Sequence, residues 1–284
     1  MTIAVTGATG HLGGLAITHL LRRGTPAEQV VALVRDVDRA GQLAALGVQV
    51  RHFDFDQPDA LAEALADVDA LLLVSGNALG RRAAQHRAVI DAALKAGVGK
   101  LVYTSAPHVQ ASVNPVAPEH KATEEALAAS GLPHVILRNG WYHENYLREL
   151  EAVAETGVLL TAAGDGRVAS AARSELAEAA AVVLAGPLDA GTITLTGDVA
   201  WTQEDLAADL ASVLGRDIEV RHVSALQKAD VLAQAGVDAG MAGFAVGVDE
   251  AIAAGELGEV NGELARLIGR PTSPLIETLR AAGR

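Results

Sequence analysis

Short runs of β-branched and apolar residues alternate with longer segments of helical periodicity through the first half of the chain. The runs over 2–6, 30–34, 48–53, 70–74, 101–105 and 134–138 predict strands. Between them, helical spacing of apolar positions predicts helices over 12–23, 39–46, 59–65, 81–96 and 119–129. Gly24, Gly47, Gly97 and Gly131 stand where a left-handed residue would close the preceding helix. Strands that each lead into a helix are the pattern of a parallel sheet covered on both faces.

Beyond 138 the alternation fades, although a helix over 174–184 and a strand over 192–195 are expected to rejoin the sheet. Thr202, with Asp205 in the first turn, predicts the start of a helix running to Leu214, and Ser224 predicts another. Pro271 and Pro274 bracket a turn before a last short helix. The expected architecture is therefore α/β: a doubly wound parallel sheet over 1–150, to which 168–200 returns, and a smaller C-terminal α/β lobe within 151–284.

Composition narrows the function more than the fold. Half of the 284 residues are hydrophobic, yet no apolar run reaches the roughly 18 residues of a membrane span. The chain enters a strand at once, without the basic and apolar stretches of an export leader, and it has no cysteine. Disulfides, thiolate nucleophiles and iron–sulfur clusters are thereby excluded, and a cytoplasmic location is expected. A formal net charge of -13 argues against an extended nucleic-acid surface, while leaving room for one small anion in a local basic pocket.

The most informative segment is Thr6-Gly7-Ala8-Thr9-Gly10-His11-Leu12-Gly13, placed directly between the first strand and the first helix. Glycines at these three positions allow a tight turn, close approach of backbone to a pyrophosphate, and tight packing of helix on strand. The helix start adds unpaired N–H groups and a positive dipole end. This is the fingerprint of a dinucleotide-binding Rossmann fold. After the second strand the chain reads Val34-Arg35-Asp36. Arg35 is placed to meet the extra phosphate of NADP, and Asp36 either holds a ribose or pairs with Arg35. Asp54, after the third strand, either accepts from the adenine amino group or caps the following helix. Ser75, Gly76 and Asn77 follow the fourth strand, where the carboxyl ends of strands face the ligand.

Equally informative is what is missing. A Tyr-x-x-x-Lys pair would supply the proton that accompanies hydride transfer to a ketone. Four residues after Tyr103, Tyr142 and Tyr146 stand Pro107, Tyr146 and Leu150, and four before Lys121 stands Ala117. The pair is absent, which favours acceptors that hold the added electrons themselves, such as quinones or delocalised cationic dyes. His86, His108, His120 and His143 stand alone without metal-ligand spacing, and Ser75-Gly76 lacks the surroundings of a hydrolase nucleophile.

The segment 6–13, Arg35, Tyr103-Thr104-Ser105 and Arg138-Asn139-Gly140-Trp141-Tyr142-His143-Glu144-Asn145-Tyr146 together resemble the NmrA-like atypical short-chain dehydrogenases. Within that group the chain is similar to bacterial type 2 NADPH:quinone oxidoreductases and, less closely, to triphenylmethane dye reductases. The resemblance implies NADPH, preferred over NADH, held by Gly7, Ala8, Thr9, Gly10, His11, Leu12 and Gly13. Further contacts are implied from Arg35, the Ser75 loop, Arg138 and Asn139 closing the sixth strand, and Arg173, with neither flavin nor metal. It places a quinone-like acceptor near Tyr103, Asn139, Trp141, Tyr142 and Asn145. Asp36 departs from the asparagine common among relatives, which would relax the preference between NADPH and NADH.

Trp141 and Tyr142 offer flat faces for a planar acceptor, and Asn139 and Asn145 can bond its carbonyls. The expected protein is a monomer or homodimer that reduces a quinone, with neither nucleic acid nor membrane as partner. The alternatives are a reductase of triphenylmethane-type dyes or other conjugated electrophiles, and a non-catalytic regulator that senses NADP(H).

Overall fold

The computed structural model describes residues 1–188 and 190–283. Its strands, in chain order, are β1 (Ile3–Thr6), β2 (Val30–Val34), β3 (Gln49–His52), β4 (Ala70–Leu73), β5 (Lys100–Ser105), β6 (His134–Asn139), β7 (Val158–Thr161), β8 (Gly191–Leu195) and β9 (Glu219–His222). The helices up to residue 130 are α1 (His11–Arg22), α2 (Gly41–Ala45), α3 (Pro58–Ala64), α4 (Arg82–Ala96) and α5 (Ala117–Ser130). They are followed by α6 (Leu147–Thr156), α7 (Arg173–Ala185), α8 (Gln203–Leu214), α9 (Ala225–Gln234), α10 (Ala239–Ala253), α11 (Glu263–Ile268) and α12 (Leu275–Ala282). No helix among the described residues is long and apolar enough to cross a membrane.

The chain divides into two units. The first comprises Met1–Ala106, Pro118–Asn139 and Arg173–Thr194, and the second Pro107–Ala117, Gly140–Ala172 and Leu195–Arg284. In the first unit seven strands form one sheet in the order β3-β2-β1-β4-β5-β6-β8, and β1 to β6 pair in parallel. The order reverses beside β1, because the chain winds outward first to β2 and β3 and then to β4, β5 and β6. That reversal opens a crevice at the carboxyl ends of β1 and β4, the place where ligands bind in such sheets.

Burial explains why these strands were readable. β1, β2, β4 and β5 are buried at every position, as expected of strands covered on both faces. Alternate residues Ala4, Val31, Leu33, Leu71, Leu73, Leu101 and Tyr103 cluster with Leu61, Ile90 and Leu127 from α3, α4 and α5. The intervening residues Val5, Ala32, Leu72 and Val102 are as deeply buried and point the other way. α1 and α7 pack on each other, and α7 touches β4 and β5. At the end of α7, the buried Lys100 ammonium donates to the carbonyls of Val183, Gly186 and Leu188 at 3.0, 2.9 and 3.1 Å. A side chain of β5 thus satisfies acceptors that the last helical turn leaves open.

The second unit has its own core, in which Tyr146, Leu150, Leu159, Trp201, Leu206, Leu210, Ile252 and Leu279 pack together. β7 and β9 pair in parallel as a separate two-stranded sheet. Thr202 and Ser224 cap α8 and α9 through complete capping boxes with Asp205 and Gln227, as their sequence positions predict.

Two expectations are corrected. The helix expected over 39–46 is a 3-10 turn (Val37–Ala40) followed by the five-residue α2, since Asp36 caps the turn early and Gly41 interrupts the helical run. Residues 140–150, expected with the sheet, belong to the second unit, as do 195–200 and the stretch Pro107–Ala117.

Candidate nucleotide site

β1 ends at Thr6, and Gly7 turns the chain with φ +59°, a conformation that disfavours any side chain. The turn is closed by the Gly10 N–H donating to the Gly7 carbonyl at 2.8 Å. Gly10 then serves as N-cap of α1 with no side chain to offer, and the first turn carries no acidic residue. The N–H groups of His11, Leu12 and Gly13 have no acceptor among the described residues. A β-carbon at Gly13 would lie 2.5 Å from the Gly7 carbonyl oxygen, so only glycine lets the helix start this close under the turn. The result is a cradle of unpaired donors at the positive end of a 12-residue helix, with no side chain capping it.

At the end of β2 the two charged neighbours separate by role. The Asp36 carboxylate accepts from the Asp38 N–H at 3.1 Å and caps the 3-10 turn. Arg35 is exposed and makes no hydrogen bond among the described residues. Its charge reaches Asp56, whose carboxyl is held below the usual range first by the Gln85 amide at 2.7 Å and then by Arg81 and Arg35. The pairing of Arg35 with Asp36 is therefore not formed, and the cation stays available. Asp54 accepts from the Asp56 N–H at 3.1 Å and the Gln57 amide at 3.2 Å, closing the turn that leads into α3.

The loop after β4 is fixed through its backbone. Thr6 Oγ1 accepts from the Val74 N–H at 3.0 Å, Thr104 Oγ1 from the Ser75 N–H at 2.9 Å, and His86 Nε2 from the Gly76 N–H at 3.1 Å. Thr104 Oγ1 in turn donates to Ser75 Oγ at 3.3 Å, whereas the Asn77 side chain makes no hydrogen bond among the described residues. Thr104 and His86 were not expected as participants. Thr104 is marked in the sequence only as part of the run 103–105 and His86 only as a lone histidine, because each acts through a partner at least ten residues away.

Two expected contacts are overturned by what their side chains already hold. Tyr103 has no exposure, and its hydroxyl lies 2.7 Å from His120 Nδ1 between α4 and α5, so it does not reach an acceptor. β5 points it away from the face of Thr104, which does reach the loop. Arg138 forms a fork with the buried Glu124, Nε to Oε1 at 3.0 Å and Nη2 to Oε2 at 2.6 Å, while Ser105 donates to the same Oε1 at 2.7 Å. Its guanidinium is committed to α5 and not to a phosphate.

Asn139, the last residue of β6, is only 5% exposed, and neither its amide nitrogen nor its oxygen has a partner among the described residues. A buried donor and acceptor left open together are costly unless a ligand completes them. With the Gly7–Gly13 cradle, this orphaned amide fits a dinucleotide with an amide-bearing ring. Arg173 opens α7, half-buried.

In the second unit, Trp141 and Tyr142 are half-buried and Asn145 follows on the turn His143–Tyr146. This stretch is pinned alongside Ala171, whose N–H donates to the Trp141 carbonyl at 3.0 Å and whose carbonyl accepts from the His143 N–H at 2.9 Å. Trp141 rests on the core of that unit. Tyr146, inside that core, stacks edge-on against Trp201 with centroids 4.7 Å apart, and burial pushes its phenol well up.

A family model described as NAD(P)H-binding matches residues 7–187. Quinone oxidoreductase 2 of Escherichia coli K12 is 43% identical over 278 residues, covering 98% of this chain and 97% of that protein. The solved NADPH-dependent quinone oxidoreductase of E. coli complexed with NADPH superposes with a TM-score of 0.96 at 42% identity, covering both chains completely. The Citrobacter sp. triphenylmethane reductase complexed with NADP(H) gives a TM-score of 0.93 at 40% identity, over 99% of this chain and 100% of the other. The glycine cradle, the uncapped helix and the matched segment coincide, and the chain belongs to the NAD(P)H-binding family of oxidoreductases that includes these reductases.

Proposed function

We propose that the protein binds NADPH and passes its hydride directly to a quinone, without flavin and without a covalent enzyme intermediate. The observation that carries this reading is Asn139, a buried amide with both polar atoms open at the carboxyl end of β6. It can align a carboxamide or a carbonyl and has no partner among the described residues to leave.

The residues divide the work. The N–H groups at the start of α1 hold the diphosphate, and Arg35 holds the 2′-phosphate while Asp36 is occupied with its own cap. Ser75, Gly76 and Asn77 border the nucleotide. Trp141 and Tyr142 stack on the planar acceptor, and Asn145 bonds a carbonyl of it. The reduced nicotinamide, when bound, supplies the hydride. A quinone stabilises the added electrons itself and, having received one hydrogen as hydride, takes the single proton it still needs from solvent, so the chain has to supply position and orientation more than acid–base chemistry. The buried phenols fit that division: Tyr103 is bonded to His120, and Tyr146 lies inside the second core. The quinone oxidoreductases of E. coli support the same acceptor class.

The test is NADPH oxidation with a panel of quinones and triarylmethane dyes. Turnover of at least one quinone faster than any dye is expected. Dyes turned over faster would favour a dye reductase, and tight NADPH binding without turnover of any acceptor would favour a nucleotide-sensing regulator.

A further inference from the structure

Between α4, β5 and α5, behind the loop that follows β4, lies a buried polar network. His86 is fully buried, and its ring stands edge-on to Phe55 and Tyr103 with centroids 6.2 and 5.4 Å away. Its Nε2 lies 3.1 Å from the Gly76 nitrogen, and its Nδ1 lies 3.0 Å from Thr123 Oγ1. The directions of these bonds are determined. A backbone N–H can only donate, so Nε2 accepts and Nδ1 carries the hydrogen. Thr123 Oγ1 accepts that hydrogen and donates its own to the Glu119 carbonyl at 2.9 Å. The same logic orients the neighbouring ring: Arg82 donates to His120 Nε2 at 3.4 Å, so His120 Nδ1 donates to the Tyr103 oxygen.

We propose that His86 is a positioning residue for the nucleotide loop: Thr123 fixes its neutral Nδ1–H tautomer, and Nε2 thereby accepts the Gly76 N–H and sets the backbone of Ser75, Gly76 and Asn77. The inference rests on the reading that this loop borders the nucleotide. The other tautomer, or a charged ring, would point an N–H at the N–H of Gly76 and push the loop away. Burial, seconded by the nearby Arg82 charge, keeps His86 neutral by lowering its pKa to about 3. Tyr103 packs against the ring, and α5, through Thr123 and this imidazole, holds the Gly76 end of the loop while Thr6 and Thr104 hold its start.

The tautomer is read directly from ¹⁵N chemical shifts of histidine-labelled protein without nucleotide. A protonated Nδ1 and an unprotonated Nε2 are expected at His86, and the opposite assignment would overturn the proposal. Thr123→Val keeps the shape and removes the acceptor. It is expected to populate the Nε2–H form and to raise the NADPH dissociation constant about tenfold by calorimetry, the worth of one misdirected hydrogen bond. Thr123→Ser should restore both readouts. His86→Phe keeps the ring packing and should show the same binding loss, with kcat at saturating NADPH within about twofold of the original protein. Unchanged affinity in Thr123→Val and His86→Phe, beside normal binding by the unsubstituted protein, would overturn the role of His86 alone. Failure of the unsubstituted protein to bind NADPH would instead overturn the nucleotide reading and, with it, this one.

Discussion

Arg35 and Asp36 are adjacent, opposite in sign and, from their order alone, interchangeable as readers of a ribose or its phosphate. The structure separates them because Asp36 spends its carboxylate on the Asp38 N–H, whereas Arg35 keeps its donors. Charge-assisted bonds to a phosphate contribute about 1.5–3 kcal/mol, so Arg35→Ala is expected to weaken NADPH roughly 10–100-fold while leaving NADH within about threefold. Calorimetric titration of both coenzymes distinguishes the outcomes, and equal losses would show that Arg35 does not read the phosphate. Residue positions near a strand end were legible in the sequence, but prior engagements were not. Tyr103 and Arg138 sit on the right strands for contact with ligand, yet His120 and Glu124 already hold them, and those partners lie 17 and 14 residues away. Conversely, Asn139 stands out only once its neighbours are known to leave it unbonded.

The unit of β1, turn and α1 was readable because every part of it is a local constraint: an apolar strand, glycines at fixed intervals, then helical spacing. Its tightest point is Gly13, where an added methyl would sit 2.5 Å from the Gly7 carbonyl oxygen. Gly13→Ala is therefore expected to shift α1 off the turn, costing about 1–3 kcal/mol. The check is thermal melting with and without NADPH: a lower Tm and the loss of the nucleotide-induced rise are expected, while a full rise would mean that the cradle tolerates the displacement. Buried parallel strands announce themselves by unbroken apolar runs, as β1, β2, β4 and β5 do, and the other three strands of the first sheet were anticipated within a few residues from the strand–helix alternation around them. β7 and β9 were not, since β9 reads Glu-Val-Arg-His with three of its four residues exposed, and its pairing depends on β7 from across 57 residues of chain that carry no sign of it.

Across the whole molecule, two imidazoles buried without charge link stability to acidity. His86 and His120 both have their pKa lowered to about 3, by burial first and the Arg82 charge second. In the unfolded chain each titrates near its ordinary 6.5. Between those values the unfolded state binds more protons, so stability is complete above about pH 6.5 and falls as the pH drops toward 3. Each histidine contributes a slope of at most about 1.4 kcal/mol per pH unit. Urea unfolding at pH 7, 6 and 5 should show this decline, and His86→Phe should reduce the slope by up to half of it; a slope unchanged by that substitution would mean the ring does not titrate on unfolding.

The first unit is built from three stretches of chain, and the excursion of 140–172 leaves it after β6 and comes back at α7. That excursion departs and returns at one spot, since Trp141 and Ala171 are hydrogen-bonded neighbours. A ribosome therefore has to release residue 194 before the coenzyme-binding half has its last strand, and a fragment trimmed at 150 would lack both α7, the packing partner of α1, and the edge strand β8. Anyone wishing to carve a minimal coenzyme reporter from this protein should excise the middle and splice 139 to 173 with a short linker, keeping the tail only as far as Leu195, the end of β8.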